Sequence, residues 1–406
     1  MKKKIIFIQN QKFLNFHYKK YELDDLKKHF FLEIHDLSSI LNKNITNKYN
    51  YLNEKKNKSI KTFKNFFIWK KKIIYEHKKH KNNLILIYED KPISFQELYF
   101  YFYFLLKKIF IVDFCFSQLP NFNIYKKNDY KVNLSYKLYR LTTRFKLTIN
   151  FFIISAINSI KSFLTYFLSP NIIFTNGTIL FDKIKKTNNN SEVISMNSWE
   201  CSKIFKLKKL KKKKINYSVY INSFTPNSTS DAVTYGYKRY EIVNEVFAQL
   251  NKFFNSFEKL IKTKVVIAAH PRDEKIKKIP QLGNRLLIKN QTLDLIRNAK
   301  FVLTHMSIAT SYAIFFNKPI VFVCTKEHYK NKFLIRFSQK FAESLKCLFL
   351  NVDGTNQKKF VKNLQKIKNI KVNDKYYSRF KKKFMLSSQY CSMPNSKILI
   401  NVLKDK

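Results

Sequence analysis

Glycine is nearly missing from this chain. The 406 residues contain four, Gly177, Gly236, Gly283 and Gly354, with eight prolines and two tryptophans. A chain this poor in glycine carries neither of the glycine-rich phosphate cradles: there is no GxxxxGK[ST] for an NTPase and no GxGxxG for a dinucleotide. HExxH and GxSxG are absent too, which excludes a zincin helix and an α/β-hydrolase elbow. No DxD occurs, so no metal held by that carboxylate pair is expected, and no cofactor. The five cysteines are odd in number and form no CxxC pair, which fits reduced thiols rather than a disulfide framework or a zinc site. Long hydrophobic runs are missing as well. The nearest approach is 151–169, FFIISAINSIKSFLTYFLS, with Asn158 and Lys161 near its middle, each costly in hydrocarbon. It reads as a buried or interfacial helix. The basic start MKKKIIFIQ has too short an apolar run for a signal peptide and reads as a first strand.

Acidic residues are few. There are 27 against 78 Lys and Arg, a formal net charge of +51. Such a balance points to nucleic acid or an anionic membrane. Lys far outnumbers Arg and is spread through the chain, so nucleic acid is not expected as a partner. The Lys, Asn, Ile, Phe and Tyr bias is what AT-rich coding writes into any protein. Most of the lysine therefore reads as solvated surface, with attraction to the inner face of an acidic membrane as the residual role.

Hydrophobic residues make up 45%, enough for a full core, and the length suits two domains. Short continuous apolar runs alternate with helical patterns. In the first half the runs are Ile5–Ile8, Phe30–Ile34, Leu84–Tyr88, Phe110–Phe114, Ile172–Thr175 and Val193–Met196. This alternation implies an α/β architecture of mostly parallel sheets with helices on both faces. Leu41–Lys64 has the composition of a loop or insertion. Lys206–Lys214, KLKKLKKKK, reads as a solvated linker, and the expected division is 1–213, 214–370 and a helical tail 371–406. Beyond the linker, Val219–Ile221 is a strand. Ile242, Val246, Leu250, Phe253, Phe254 and Phe257 then mark one apolar helix face.

The stretch Lys264–Thr325 concentrates the chemistry. Val265–Ala269 ends in His270-Pro271, and Phe301–Thr304 ends in His305-Met306-Ser307. Ligands of open α/β sheets bind at such strand ends. Ser307 stands where a strand meets a helix, a natural N-cap. Its hydroxyl, Thr310 and the N–H groups of Ile308 and Ala309 could together hold a phosphate. His270 could donate to a phosphate oxygen or protonate a leaving phosphate. Arg272 could add a charge-assisted contact. Thr304 and His305 share the edge, and Thr292 opens a helix near it. Asn176, Gly177 and Asn222 follow strands where a cleft between domains would lie.

A strand ending in HP, a strand ending in THxS before a helix, and NKPIVFV together resemble the C-terminal half of bacterial GT-B glycosyltransferases of surface-polysaccharide synthesis. The nearest likeness is to the sialyltransferase-like group, over roughly Asn216–Thr325. The resemblance implies a GT-B-like fold of two Rossmann-type doubly wound domains, with last helices crossing back onto the first. It implies a nucleotide-sugar donor, a CMP-sugar favoured, on the C-terminal domain. A surface glycan or lipid-linked acceptor would occupy the N-terminal one, and transfer would be metal-independent. Near Thr292, relatives place the base or ribose. Two positions depart from the pattern: Ile308 replaces the second Ser/Thr, and Asn222 stands where an acidic residue is usual. For the base that activates the acceptor hydroxyl, Asp36, Asp231 and Asp90 are the candidates, Asp36 first. CDP-alcohol phosphotransferases and pyruvyltransferases share the layout and remain alternatives, as does a catalytically degenerate protein.

Overall fold

A run such as Lys4–Gln9, KIIFIQ, cannot leave one side in water, because all but its first residue are apolar or uncharged. Both faces must be covered, and the structure covers them. It is a computed structural model describing residues 2–10, 12–13, 15–41, 59–89, 92, 94–116, 145–188, 190–207, 216–223, 239–270, 278–325, 332–352 and 357–406. One sheet holds β1 (Lys4–Gln9), β2 (Phe31–Asp36), β3 (Ile60–Thr62), β4 (Leu84–Tyr88), β5 (Phe110–Cys115), β6 (Ile172–Asn176) and β7 (Glu192–Met196), in the order β3-β2-β1-β4-β5-β6-β7. A second sheet holds β8 (Tyr217–Ile221), β9 (Lys264–Ala268), β10 (Leu287–Ile288), β11 (Val302–Thr304), β12 (Ile320–Cys324) and β13 (Leu348–Asn351), in the order β10-β9-β8-β11-β12-β13. Every pairing in both is parallel.

Alternate residues of each run serve opposite faces. Ile5, Phe7, Ile87 and Phe114 join Tyr21, Leu26 and Trp199 in one cluster. Ile6, Ile8, Leu86 and Ile111 join Trp69, Ile73, Tyr101 and Phe104 in another. That is why the strands read as unbroken apolar runs. In the second sheet, the helix Arg239–Ile261 lays Val246, Leu250, Phe253, Phe254 and Phe257 against Val265, Ile267, Leu303 and Val321, the face its periodicity predicts. Each such side chain contributes about 1.5–3 kcal/mol by leaving water.

The described residues divide into two compact units. The first runs to Lys206 and resumes at Phe384; the second runs from Leu207 to Lys383. The helix Asp374–Phe380 belongs to the second: the Tyr377 hydroxyl donates to the Lys318 carbonyl at 3.0 Å, and Phe380 stacks on Phe341. The helix Asn395–Lys404 belongs to the first, where it buries Ile398, Leu399 and Leu403.

Two strands escape the sequence pattern. Three-residue β3 falls in the stretch read as an insertion, and two-residue β10 has no run to detect; both are edge strands. The apolar segment at 151–169 contributes to a helix, Phe145–Leu164, in which Lys161 is paired with Asp113 at 2.7 Å. Among the described residues, no helix is long and apolar enough to cross a membrane.

A buried ionic network braces the first sheet. The Lys4 ammonium donates at 2.8 Å to both Glu33 and Glu76. Trp69 Nε1 donates to His35 Nδ1 at 3.1 Å, which leaves His35 Nε2 as the donor to Glu33 at 2.8 Å. Burial lowers the His35 pKa and keeps the ring neutral. Burial alone would raise the Glu33 pKa, but hydrogen bonds from His35 and Lys4 outweigh it and hold the carboxyl far below its usual 4.5. Asp25, despite its own burial, is brought to about 2 by Lys206 and Lys28. Both folded values are depressed, so the stability these groups supply is present above the unfolded values and lost as pH falls through the folded ones. Buried His35 and His305, whose folded values are also lowered from 6.5, add a loss that begins as pH falls through about 6.5. Urea unfolding should therefore show stability falling from about pH 6.5 and more steeply below about pH 5, where the carboxylates join. Glu33→Gln should be less stable at neutral pH and show a shallower acid limb. An unchanged limb would remove Glu33 from this account.

Candidate functional site

Each sheet starts in its middle and winds outward both ways. In the second, the chain goes from β8 to β9 and β10 on one side, then returns to β11 and proceeds to β12 and β13 on the other. The loops leaving adjacent β8 and β11 therefore part in opposite directions. The crevice between them is where open α/β sheets bind ligands.

Asn222 and Ser223 follow β8, Thr304 and His305 stand at the end of β11, and His270 follows β9, one strand over. The sequence-predicted residues His270, Asn222, Thr304 and His305 thus meet at three neighbouring strand ends. Asn222 is buried, its N–H donating to the Ala268 carbonyl at 3.0 Å. The hydroxyl oxygens of Ser223, Thr304 and Thr310 are all buried without a hydrogen-bond partner. An unpaired buried hydroxyl costs about 1–3 kcal/mol. Two at strand ends and one at the start of the following helix leave hydroxyls open to a ligand or to ordered water.

The sequence places the start of the helix two residues too early. It spans Thr310–Phe315, with Ala309 at the cap position. Ser307 Oγ instead accepts from the Ala309 N–H at 3.2 Å, and the Thr310 N–H donates to the Ser307 carbonyl at 3.1 Å. The Ala309 N–H is therefore already engaged. The Ser307 hydroxyl hydrogen can still donate outward. Ile308 and Ala309 are half-buried in this turn. His305 is buried, which pushes its pKa down to about 3, so the ring is neutral at physiological pH. Its carbonyl accepts from Ser338 Oγ at 2.6 Å, which ties the loop to the helix Lys332–Leu345. Its chemistry suits orienting the loop rather than meeting phosphate as a cation. Thr292 opens the helix Thr292–Asn298 beyond edge strand β10, two strands from β8 on the same edge. Pro271, Arg272 and Asp231 lie outside the described residues.

In the first sheet the corresponding switch lies between β1 and β4. Gln9 and Asn10 are buried at the end of β1, and Glu89 follows β4. Gln9 Nε2 and Lys20 Nζ each approach the Glu89 carboxylate at 3.4 Å. Sequence reasoning missed this group: the strands before Asn10 and Glu89 are legible, but nothing local reveals that they are neighbours. Asp36 stands one strand away at the end of β2. Its two carboxylate oxygens accept from the Phe13 N–H at 3.0 Å and the Ser38 N–H at 2.9 Å, so it clamps two loops. Asn176 and Gly177 lie farther out, at β6. The Asn176 amide donates to the Phe384 carbonyl at 2.9 Å, and Gly177 opens the helix Gly177–Thr187 at φ 66°, a conformation that needs glycine. Asp90, like Asp231, is outside the described residues.

No family model matches the chain, and no curated protein is significantly similar to it. Solved structures resemble it at low identity over almost its whole length. The UDP-GlcNAc 2-epimerase of Methanocaldococcus jannaschii is 11% identical, with 99% of this chain and 100% of that chain covered and a TM-score of 0.47. MurG of Acinetobacter baumannii is 7% identical, with 100% of both covered and a TM-score of 0.46. The wall teichoic acid polymerase TagF is 10% identical, with 100% and 89% covered and a TM-score of 0.45. Each is a likeness in the overall course of the chain.

Proposed function

We propose that this protein is a glycosyltransferase of the sialyltransferase-like kind. It would move a sugar from a nucleotide-activated donor, a CMP-sugar favoured, to a surface glycan or lipid-linked acceptor at an anionic membrane, without a metal. The observation that carries the reading is the trio of partnerless buried hydroxyls, Ser223, Thr304 and Thr310, at the switch point of the second sheet beside His270. Donors of this kind are what an activated phosphate needs as the glycosidic bond breaks and charge moves onto the leaving group. His270 supplies a proton or hydrogen bond to that phosphate, assisted by Ser307 and by Arg272. The acceptor belongs on the first unit. There we assign Glu89, rather than Asp36, as the carboxylate that takes the acceptor hydroxyl proton. Asp36 holds both oxygens in short backbone N–H bonds at 3.0 and 2.9 Å, whereas the Gln9 and Lys20 contacts to Glu89 are long, at 3.4 Å. The acceptor oxygen bonds to the anomeric carbon, the bond from that carbon to the phosphate oxygen breaks, and the nucleotide leaves with that electron pair.

The test is a thermal-shift panel of CMP, CDP, UDP, GDP and phosphoenolpyruvate on the wild type and on His270→Ala. A specific ligand at about 100 times its Kd adds about 2.7 kcal/mol of stability. One nucleotide should raise the melting temperature, and the variant should lose that rise. A response to phosphoenolpyruvate alone would move the reading to a pyruvyltransferase. Stabilisation by generic polyanions alone would end it.

A further inference from the structure

We propose that the amino-terminal edge of the first sheet is a docking surface for anionic lipid, with Phe163, Tyr166 and Phe167 as its apolar wedge. All its strands run parallel, so every turn that enters a strand lies on this one edge, opposite the carboxyl ends where ligands bind. Seven strands make that edge about 29 Å long.

Exposed lysines recur along it: Lys78, Lys79 and Lys81 before β4, Lys107 and Lys108 before β5, and Lys185 and Lys186 before β7. A helix carboxyl end accounts for a cation at its last turn. It does not account for pairs and triplets at successive turns with apolar side chains held open among them. Phe163, Tyr166 and Phe167, in the approach to β6, are 66%, 70% and 67% exposed. Phe167 touches the other two rings at centroid distances of 5.5 and 5.4 Å. Asn190 donates to the Tyr166 carbonyl at 3.3 Å, which sets the lysine-bearing turn before β7 beside the wedge. Leu106, next to Lys107, is also exposed. Phe31 heads β2 with the Lys2 ammonium 5.5 Å over its ring. At this edge Glu192 is neutralised by Lys406 at 2.8 Å.

The wedge continues along its helix. Ile153, Ala156, Ile160, Phe163 and Phe167 recur at spacings of three and four and are all exposed, whereas Ile157 on the other side is buried. An uncharged apolar stripe set among lysines, on a chain of net charge +51, fits an acidic bilayer by charge complementarity. A second copy of the chain would bring the same charge to the contact. Nucleic acid fits less well, because the described part of the first unit contains no arginine, the residue that grips phosphate with a bidentate fork.

The inference deepens the membrane part of the proposed function and is independent of the donor site. Vesicle binding and the nucleotide response can therefore fail separately. The full chain is sedimented with vesicles of phosphatidylcholine, alone or mixed equally with phosphatidylglycerol. Binding should require the acidic lipid and weaken with salt. Phe163→Ser with Phe167→Ser, and separately Lys107→Gln with Lys108→Gln, should each weaken it about thirtyfold, with melting temperature and nucleotide response unchanged. Lys362→Gln with Lys366→Gln, on a helix of the second unit, should leave it intact. Vesicle binding indifferent to both edge variants would overturn the proposal. So would a dimer in sedimentation equilibrium that the phenylalanine variant dissociates, or binding of an RNA oligonucleotide in preference to the acidic vesicles.

Discussion

Asn197→Ala is expected to cost about 4 kcal/mol and to loosen the carboxyl-terminal residues from the first unit. Asn197 follows β7 and is fully buried. Its amide nitrogen donates to the Tyr390 carbonyl at 2.7 Å and the Met393 carbonyl at 2.9 Å, and its amide oxygen accepts from the Ser387 N–H at 2.8 Å. Its backbone exchanges a further pair of bonds with the Asn395 side chain, at 3.1 and 2.8 Å. Alanine removes the three side-chain bonds and strands three backbone groups away from water, each worth about 1–3 kcal/mol. The loss exceeds that of an ordinary deletion because one small side chain closes a loop that returns from 190 residues away in sequence. Urea unfolding measures the total, and hydrogen exchange at Ser387 and Ser388 locates it. Asn197→Asp should fare no better, since it turns a carboxylate toward two carbonyls. A loss under about 1 kcal/mol would mean that water replaces these bonds and that the tail is held by Ile398, Leu399 and Leu403 alone.

The same residue shows where the sequence stops being informative. The run ending at Met196 is legible as a buried strand, because burial on both faces forces continuous apolar character. The ends of β1, β4, β5, β6 and β12 are legible for the same reason. That Asn197 would hold the tail is not, because its partners are backbone groups that any residue could offer. The candidate site divides the same way. Strand ends could be read one at a time, which is how His270, Asn222 and Thr304 were each placed at the carboxyl end of a strand. Which strands are neighbours depends on the winding of the sheet, and no local pattern encodes that. That Glu89 stands beside Gln9 at the switch point of the first sheet was therefore not legible, whereas Asp36 was read from its own strand end alone. The Ser307 cap went astray for a local reason: a tight turn from Ser307 to Thr310 intervenes between strand and helix, and its serine serves the turn.

Lysine bias poses the opposite problem. Composition alone supports only a solvated surface, because excess lysine would appear wherever coding permits. What composition lacks is position. The first sheet puts lysines and open aromatic rings on the edge away from the strand ends that carry Gln9, Asn10 and Glu89. A strand of five or six residues separates the two edges by about 17–20 Å. On the proposed docking, an acceptor anchored in the bilayer would have to reach past a strand's length to meet those strand ends.

Thr304→Val combined with Thr310→Val should move stability and ligand response in opposite directions. Both side chains are fully buried and both hydroxyls lack partners. Valine keeps the shape and removes the unpaired oxygen, so the unliganded double variant should gain about 2 kcal/mol. That sign is uncommon, since most substitutions destabilise by about 1 kcal/mol. If these oxygens are kept for a phosphate, the nucleotide that stabilises the wild type should lose most of its effect on the variant. A structural reading allows no such split. Hydroxyls that pair with ordered water would make the variant less stable, and hydroxyls irrelevant to ligand would leave the nucleotide shift whole. Urea unfolding and thermal shift on one preparation report both signs. The pairing of greater intrinsic stability with weaker ligand stabilisation is the signature of a site that keeps unpaired polar groups for its substrate.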